Sequence, residues 1–362
     1  MSEQCEAPPH LRIKGRAALA NETPRFEVHT RENISDGWET DLDDLPVLRT
    51  EVRAERVRSA INKVRSPDLP FDRTLNPYRG CEHGCIYCFA RPSHAYLNLS
   101  PGLDFETKLI ARPNMPEVLE HELRARRYTV APMAIGSNTD PYQPIEKEYE
   151  IMRALLDVLA RYNHPVAIVT KGNLIERDID ILAPMAAKGL VRVGISVTSL
   201  DRDLSRKLEP RVPAPARRLA TIRRLAEAGI PVRAMVSPMV PGLTDHEMEQ
   251  ILEACHDAGA RAASWIMLRL PREVSPLFQA WLAQHYPNKV EKVMGKLRDM
   301  HGGKEYSTDW HKRMRGEGPY AALLGARFRQ ACRRMGLSEK AADLRCDLFE
   351  VPLENGRQMA LF

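Results

Sequence analysis

The sequence predicts an α/β fold built on a parallel sheet. Three observations carry that reading. From Leu75 to Leu268, short runs of β-branched and apolar residues alternate with longer amphipathic runs, which is the rhythm of strand–helix–strand units. The helical runs start and stop on suitable residues, with Pro116 in a first turn and Gly189, Gly229 and Gly259 just past last turns. Polar residues gather directly after the candidate strands, where parallel α/β proteins hold their chemistry.

In chain order, residues 1–70 read as an N-terminal extension. They are polar, carry Pro8-Pro9 and an acidic patch at 39–44, and predict partial disorder before about residue 45, with one helix over 51–64. Residues 71–270 form the core. Strands are expected at 75–78, 130–135, 166–170, 191–197, 232–236 and 263–268, and helices at 116–127, 145–162, 174–188, 215–228 and 246–258. Leu155, Leu156 and Leu159 recur at the spacing of a core-facing stripe. Six strands are too few for a closed eight-stranded barrel. They either curl into an open partial barrel or lie flat as a doubly wound sheet. Residues 271–362 form a basic, mostly helical C-terminal extension. It holds helices over 275–300 and 318–336 around Gly302-Gly303, then a short apolar run at 348–351 that is a strand or a covering segment.

At 43% hydrophobic and 28% charged over 362 residues, the chain can bury a sizeable core. No run is long enough to span a bilayer, and Met1-Ser2-Glu3-Gln4-Cys5 opens no basic-then-apolar leader. Seven cysteines are too few for a disulfide scaffold of this size. A reducing cytoplasm without membrane attachment is the expectation. The net charge of +5 is uneven, because residues 271–336 hold 13 lysines and arginines against 6 acidic residues. Trp281, Tyr286, Tyr306, Trp310 and Tyr320 are interleaved with them, so this segment is a candidate nucleic-acid surface. Solvated helix faces and core aromatics are the plainer alternative.

Three cysteines, Cys81, Cys85 and Cys88, fall within eight residues as C-x3-C-x2-C. The same positions describe one face of a helix, but Pro77, Gly80 and Gly84 argue for a loop. A structural zinc wants four closed ligands, and only His83 and His94 stand nearby. A non-enzymatic scaffold around such a zinc is the competing reading. A 4Fe–4S cluster held by three thiolates keeps one iron open for a small molecule. Cys5, Cys255, Cys332 and Cys346 lie far away in sequence, and Cys332 with Cys346 makes only a weak signal for a second metal site.

With Tyr87 before the last cysteine, C-x3-C-x-aromatic-C resembles the signature of the radical S-adenosylmethionine (SAM) enzymes. The resemblance covers roughly residues 75–270. Asn76-Pro77-Tyr78-Arg79-Gly80 is similar to the subgroup around spore photoproduct lyase and, more closely, to an uncharacterised bacterial group of radical SAM proteins. The resemblance implies a partial (βα)6 TIM-like barrel, a 4Fe–4S cluster on Cys81, Cys85 and Cys88, SAM on the open iron, and a reductant such as flavodoxin or ferredoxin. It places Tyr87 near the adenine. Where many members carry a Gly-Gly-Glu-like motif for the SAM amino group, this chain has Gly136-Ser137-Asn138-Thr139-Asp140, with Asp140 as its carboxylate. Lys171 and Arg211 are candidates for the SAM carboxylate, and Ser196 for the ribose. The lyase also uses a further cysteine after its cluster. None occurs here between Cys88 and Cys255, so the reading is a radical SAM enzyme of unknown substrate, with a nucleic-acid lyase or modification enzyme as the alternative.

Overall fold

The computed structural model describes residues 15–27 and 48–353. Its main sheet contains β1 (Arg73–Leu75), β2 (Met133–Ile135), β3 (Val166–Thr170), β4 (Val191–Ser196), β5 (Val232–Met239) and β6 (Ala262–Met267). These six pair in parallel in the order 6-5-4-3-2-1, and the strand Asn62–Lys63 adds to β1 antiparallel. A doubly wound sheet reverses its strand order; this one never does. Right-handed crossovers between successive neighbours then put every intervening helix on one face. A sheet covered that way closes its helical layer by curling, which decides for an open partial barrel.

The crossover helices are α1 (Met115–Leu123), α2 (Ile151–Arg161), α3 (Ile179–Ala187), α4 (Pro215–Glu227) and α5 (Met248–Asp257). Helix α2 buries Ile151, Met152, Leu155, Leu156 and Leu159, the stripe read from the sequence. Three expectations for residues 51–162 are corrected. The helix expected over 145–162 breaks at Glu150 (φ 49°), because the buried Glu146 carboxylate bonds Met152 N, Arg177 and the Tyr78 hydroxyl and starts a new helix there. The strand expected over 75–78 splits: β1 ends at Leu75, and Tyr78–Arg79 joins a second, three-stranded sheet. Pro77, which has no N–H to donate, sits at the division. Residues 51–64 hold two strands and no helix, with Glu51–Ala54 paired in parallel to Lys108–Ala111. That pairing partner lies 57 residues away in the chain, beyond the reach of a local propensity argument.

The C-terminal extension contributes α6 (Val274–His285), α7 (Val290–Met300) and α8 (Gly318–Met335). One helix was expected over 275–300; Pro287 and a tight turn at Pro287–Lys289 divide it into α6 and α7. Residues 337–351 run along the N-terminal ends of the strands. Ser338 bridges to Ala262, Arg345 N donates to Gly189 O at 3.0 Å, and Phe349 packs against the Tyr128, Tyr162 and His164 rings. The run at 348–351 is therefore a covering segment. Disorder expected before residue 45 concerns mainly residues 1–14 and 28–47, which lie outside the described residues. Residues 15–27 pack on the core, with Ala17 and Ala18 buried.

His164 sits under that covering segment as a neutral ring. Nδ1 donates to Pro165 O (3.0 Å) and Nε2 accepts from the Tyr128 hydroxyl (2.6 Å). Burial lowers its pKa from 6.5 to about 4. Folded His164 resists protonation that the unfolded chain accepts. Its contribution is fully present above pH 6.5 and is lost as pH falls towards 4, up to about 3 kcal/mol. Chemical denaturation at pH 7 and pH 4.5 will show a smaller loss of stability on acidification in His164→Gln than in the parent chain.

Candidate metal centre

The three thiols sit on a loop of successive turns. Gly84 N bonds Cys81 O, Cys88 N bonds Cys85 O, and Arg91 N bonds Cys88 O, each at 3.2 Å. Gly80 (φ 74°) and Gly84 (φ 65°) supply the left-handed backbone. A β-carbon at Gly84 would lie 2.6 Å from Glu106 Oε2, and one at Gly80 would lie 2.7 Å from Leu109 Cδ2. Both positions therefore need glycine. Cys81 and Cys85 are buried and Cys88 is half-buried. Burial, then Asp140 and the other two thiols, push the Cys81 pKa well up. Burial raises that of Cys85 to about 12, with Lys171 opposing.

This donor set fits a multi-iron group. Left to the protein alone, the Cys81 and Cys85 thiols stay protonated, and a metal's positive charge is what would make them thiolates. Among the described residues, no three His, Cys, Asp or Glu side chains converge on one ion position. A cubane takes one thiolate per iron, so three cysteines would leave one iron of such a cluster free.

Arg91 braces the loop from behind and is fully buried. Its five N–H donors go to five acceptors: Cys85 O (3.0 Å), Gly84 O (3.0 Å), Pro101 O (3.0 Å), Gly102 O (2.9 Å) and Glu106 Oε1 (2.5 Å). The Glu106 carboxylate also accepts Ala17 N and Ala18 N, at 3.2 and 3.0 Å. Two turns of the loop are thus tied to the N-terminal segment through one buried ion pair. Neither Arg91 nor Glu106 is legible in the sequence as part of the site, although an arginine three residues after the last cysteine is a cue.

A second buried knot lies beneath Tyr87. Its hydroxyl bonds Glu209, which also accepts Thr198 Oγ1 (2.8 Å) and pairs with Arg218. Arg218 further bonds Ser196 O (3.1 Å), Pro213 O (2.8 Å) and Ser205 Oγ (3.0 Å). Burial opposes the Glu209 charge, but Arg218 and Lys171 outweigh it and hold its pKa below the ordinary value. The knot joins the loop to the end of β4 and to α4. Sequence reasoning found Tyr87 and Ser196 but missed Glu209, Thr198 and Arg218, which are 111 to 131 positions from Tyr87.

The structure brings most of the other expected residues to this end of the barrel in different states. Asp140 is engaged: it accepts Thr170 Oγ1 (2.6 Å), Lys171 N (2.8 Å) and Tyr142 N (3.0 Å), with His83 Nδ1 3.3 Å away. Burial would raise its pKa, but His83 and these donors lower it to about 2. Thr139 Oγ1 donates to Gly80 O at 2.7 Å, which locks the end of β2 to the loop. Ser137 and Asn138 are half-buried, and Asn138 N bonds Asn76 Oδ1 at 3.1 Å. Gly136 before them allows a close approach: a β-carbon there would meet Val169 O at 2.0 Å. Lys171 Nζ lies 5.8 Å from the Tyr87 ring centroid. Burial works against its charge, yet Cys85, Glu209 and Asp140 raise its pKa. Arg211 pairs with Glu82 of the loop at 3.0 Å, and Glu82 also accepts Thr50 Oγ1 at 2.6 Å.

The aromatics of the basic segment are placed apart, most of them within the fold. Trp281 is fully buried, Tyr320 bonds Asp245, and Tyr286 and Tyr306 are half-buried. Only Trp310 among the five aromatics is largely exposed, so they do not form one stacking face. Arg313 is clamped to Asp68 by two 2.7 Å bonds, and Arg315 lies over the Trp265 ring at 4.6 Å. No helix among the described residues is long and apolar enough to cross a membrane.

An open six-stranded βα barrel with a three-cysteine loop after its first strand defines the class. The chain belongs to the radical SAM superfamily, whose model matches residues 75–255. It is a radical SAM enzyme by that membership. Uncharacterised proteins of Mycobacterium tuberculosis and Mycobacterium bovis are each 40% identical over 238 residues, covering 65% of this chain and 70% of theirs. An uncharacterised protein of Methanocaldococcus jannaschii is 25% identical over 250 residues, 68% of this chain and 88% of its own. Among solved structures, spore photoproduct lyase complexed with dinucleoside spore photoproduct aligns with a TM-score of 0.57 at 15% identity, over 80% of this chain and 81% of that one. At that identity the likeness speaks for the fold.

Proposed function

We propose that Cys81, Cys85 and Cys88 hold three irons of a 4Fe–4S cluster and leave the fourth for SAM. The observation that carries this is the glycine-turned loop that gathers the three cysteines, with Cys81 and Cys85 buried as thiols that need a metal's charge to ionise. Such a cluster, given one electron from a reductant such as flavodoxin or ferredoxin, supplies cleavage of SAM to methionine and a 5′-deoxyadenosyl radical that takes hydrogen from a substrate. The chain's own residues bind, orient and exclude water. Arg91 and Glu106 hold the loop rigid. Lys171, with no carboxylate in ion-pair contact among the described residues, is the better candidate for the SAM carboxylate; Arg211 is already paired with Glu82. Ser137, Asn138 and Ser196 offer polar contacts from strand ends. Thr139 and Asp140 act chiefly by fixing those ends, because their oxygens are used within the protein.

Anaerobic reconstitution tests this reading. The expected product is a brown protein with about four irons per chain that releases 5′-deoxyadenosine from SAM under dithionite. A colourless protein that retains one zinc and leaves SAM intact would support the scaffold instead.

A further inference from the structure

If the radical forms at the thiol-loop end, the barrel interior is the space left for substrate, and the inference below rests on that reading. Lys171 identifies the inward face, since it follows β3 and lies over Tyr87. Alternation puts Ala167 and Val169 on that face. Strand register then carries it to Arg192 and Gly194 in β4 and to Arg233 in β5. A β-carbon at Gly194 would lie 2.6 Å from Met235 Sδ and 3.5 Å from Val169 Cγ2, so these residues do meet there.

Two properties of this face stand out. Small residues are frequent on it: Thr74, Ala134, Ala167, Gly194 and Ala262 occupy inward positions on five of the six strands, beside the larger Val169, Met235 and Ile266. Closed barrels fill that space with bulky side chains. Its charge is also one-sided. The inward positions of the six strands include Arg192 and Arg233 and no aspartate or glutamate. Neither arginine has a carboxylate in ion-pair contact among the described residues. Arg192 donates to Ala342 O, and Arg233 Nη2 to Glu339 O at 2.9 Å. Arg233 Nε and the hydroxyls of Ser237 and Ser264, on the same face, are buried with no hydrogen-bond partner among the described residues. Register sets Arg192 and Arg233 on the same face of adjacent strands, and burial first, then Arg192, lowers the Arg233 pKa. Asp343, an exposed residue of the tail, is the acid that acts on Arg192. Half-buried like charges and unpaired donors are costly unless an anion joins them.

We propose that the barrel interior binds a substrate with a phosphate-type or carboxylate-type anionic group, held by Arg192 and Arg233 and met by the hydroxyls of Ser237 and Ser264. From Arg233 to Ser237 the strand rises about 13 Å. The substrate is therefore an elongated molecule with its anion at one end and the reacting carbon at the other.

Calorimetric titration of the reconstituted full chain with inorganic pyrophosphate and, separately, citrate tests this, with ionic strength held constant by KCl. One of the two anions is expected to bind, and which one does assigns the phosphate or the carboxylate type. Arg233→Met is expected to weaken that binding about tenfold or more, and Arg233→Lys less. Ser264→Leu keeps both arginines and their tail contacts but fills the interior, so it is expected to weaken binding as well. It decides the matter if Arg233→Met fails to fold. Binding of neither anion, or equal affinity in Ser264→Leu and the parent, overturns the proposal and leaves the arginines as anchors for the tail. If SAM is still cleaved in that case, only this inference falls and the proposed function stands.

Discussion

Cys85→Ala is expected to reduce 5′-deoxyadenosine formation by more than about 100-fold, beyond the ~10–100-fold cost of disturbing an outer partner of a metal site. Cys85 is buried and is held at two points through its own backbone: its carbonyl accepts Arg91 Nε and Cys88 N. Alanine keeps both bonds, so the loop's shape survives while one ligand disappears. The distinguishing measurements are therefore iron content and product together. Iron should fall below the parent's value and product should vanish, with thermal stability of the unreconstituted protein little changed. Parent-level deoxyadenosine from Cys85→Ala would sink the ligand assignment.

Arg91→Met is the matching experiment on the support. It removes one half of a fully buried ion pair and leaves Glu106 with only the amides of Ala17 and Ala18 and its surroundings. Breaking such a pair costs about 3–5 kcal/mol, and four carbonyls lose a donor besides. The melting temperature should drop by roughly 5–15 °C, and reconstituted iron should fall although every cysteine is intact. Arg91→Lys should not rescue it. An ammonium offers three donors from a point, whereas the guanidinium spans acceptors on Gly84, Cys85, Pro101, Gly102 and Glu106. Unchanged stability and iron loading in Arg91→Met would show that the loop holds itself.

The contrast between these two experiments marks how far the sequence could be read. Cys81, Cys85 and Cys88 were visible because their chemistry is local: eight residues with glycine turns close one loop. Arg91 lies nearby but reads as an ordinary charge until Glu106 is seen beside it. Glu209 and Arg218 carry no local signature, since their roles depend on Tyr87 more than a hundred positions away. Asp140 is legible in the sequence as a carboxylate after a strand, but its engagement with Thr170, Lys171 and Tyr142 belongs to packing between strand ends. The interior arginines escaped because an arginine in an alternating strand reads as solvent-facing until the register shows which side the loop covers.

By itself the sequence determined the alternation of strands and helices, the thiol loop and the polar strand ends, because each rests on periodicity or spacing within a few residues. Only the tertiary structure decided that six strands in unbroken order form an open barrel, that residues 51–64 pair as strands, and that the helix expected over 145–162 breaks at Glu150. Those outcomes depend on long-range pairing and on buried charges finding partners. A propensity reckoned along the chain does not contain either of them.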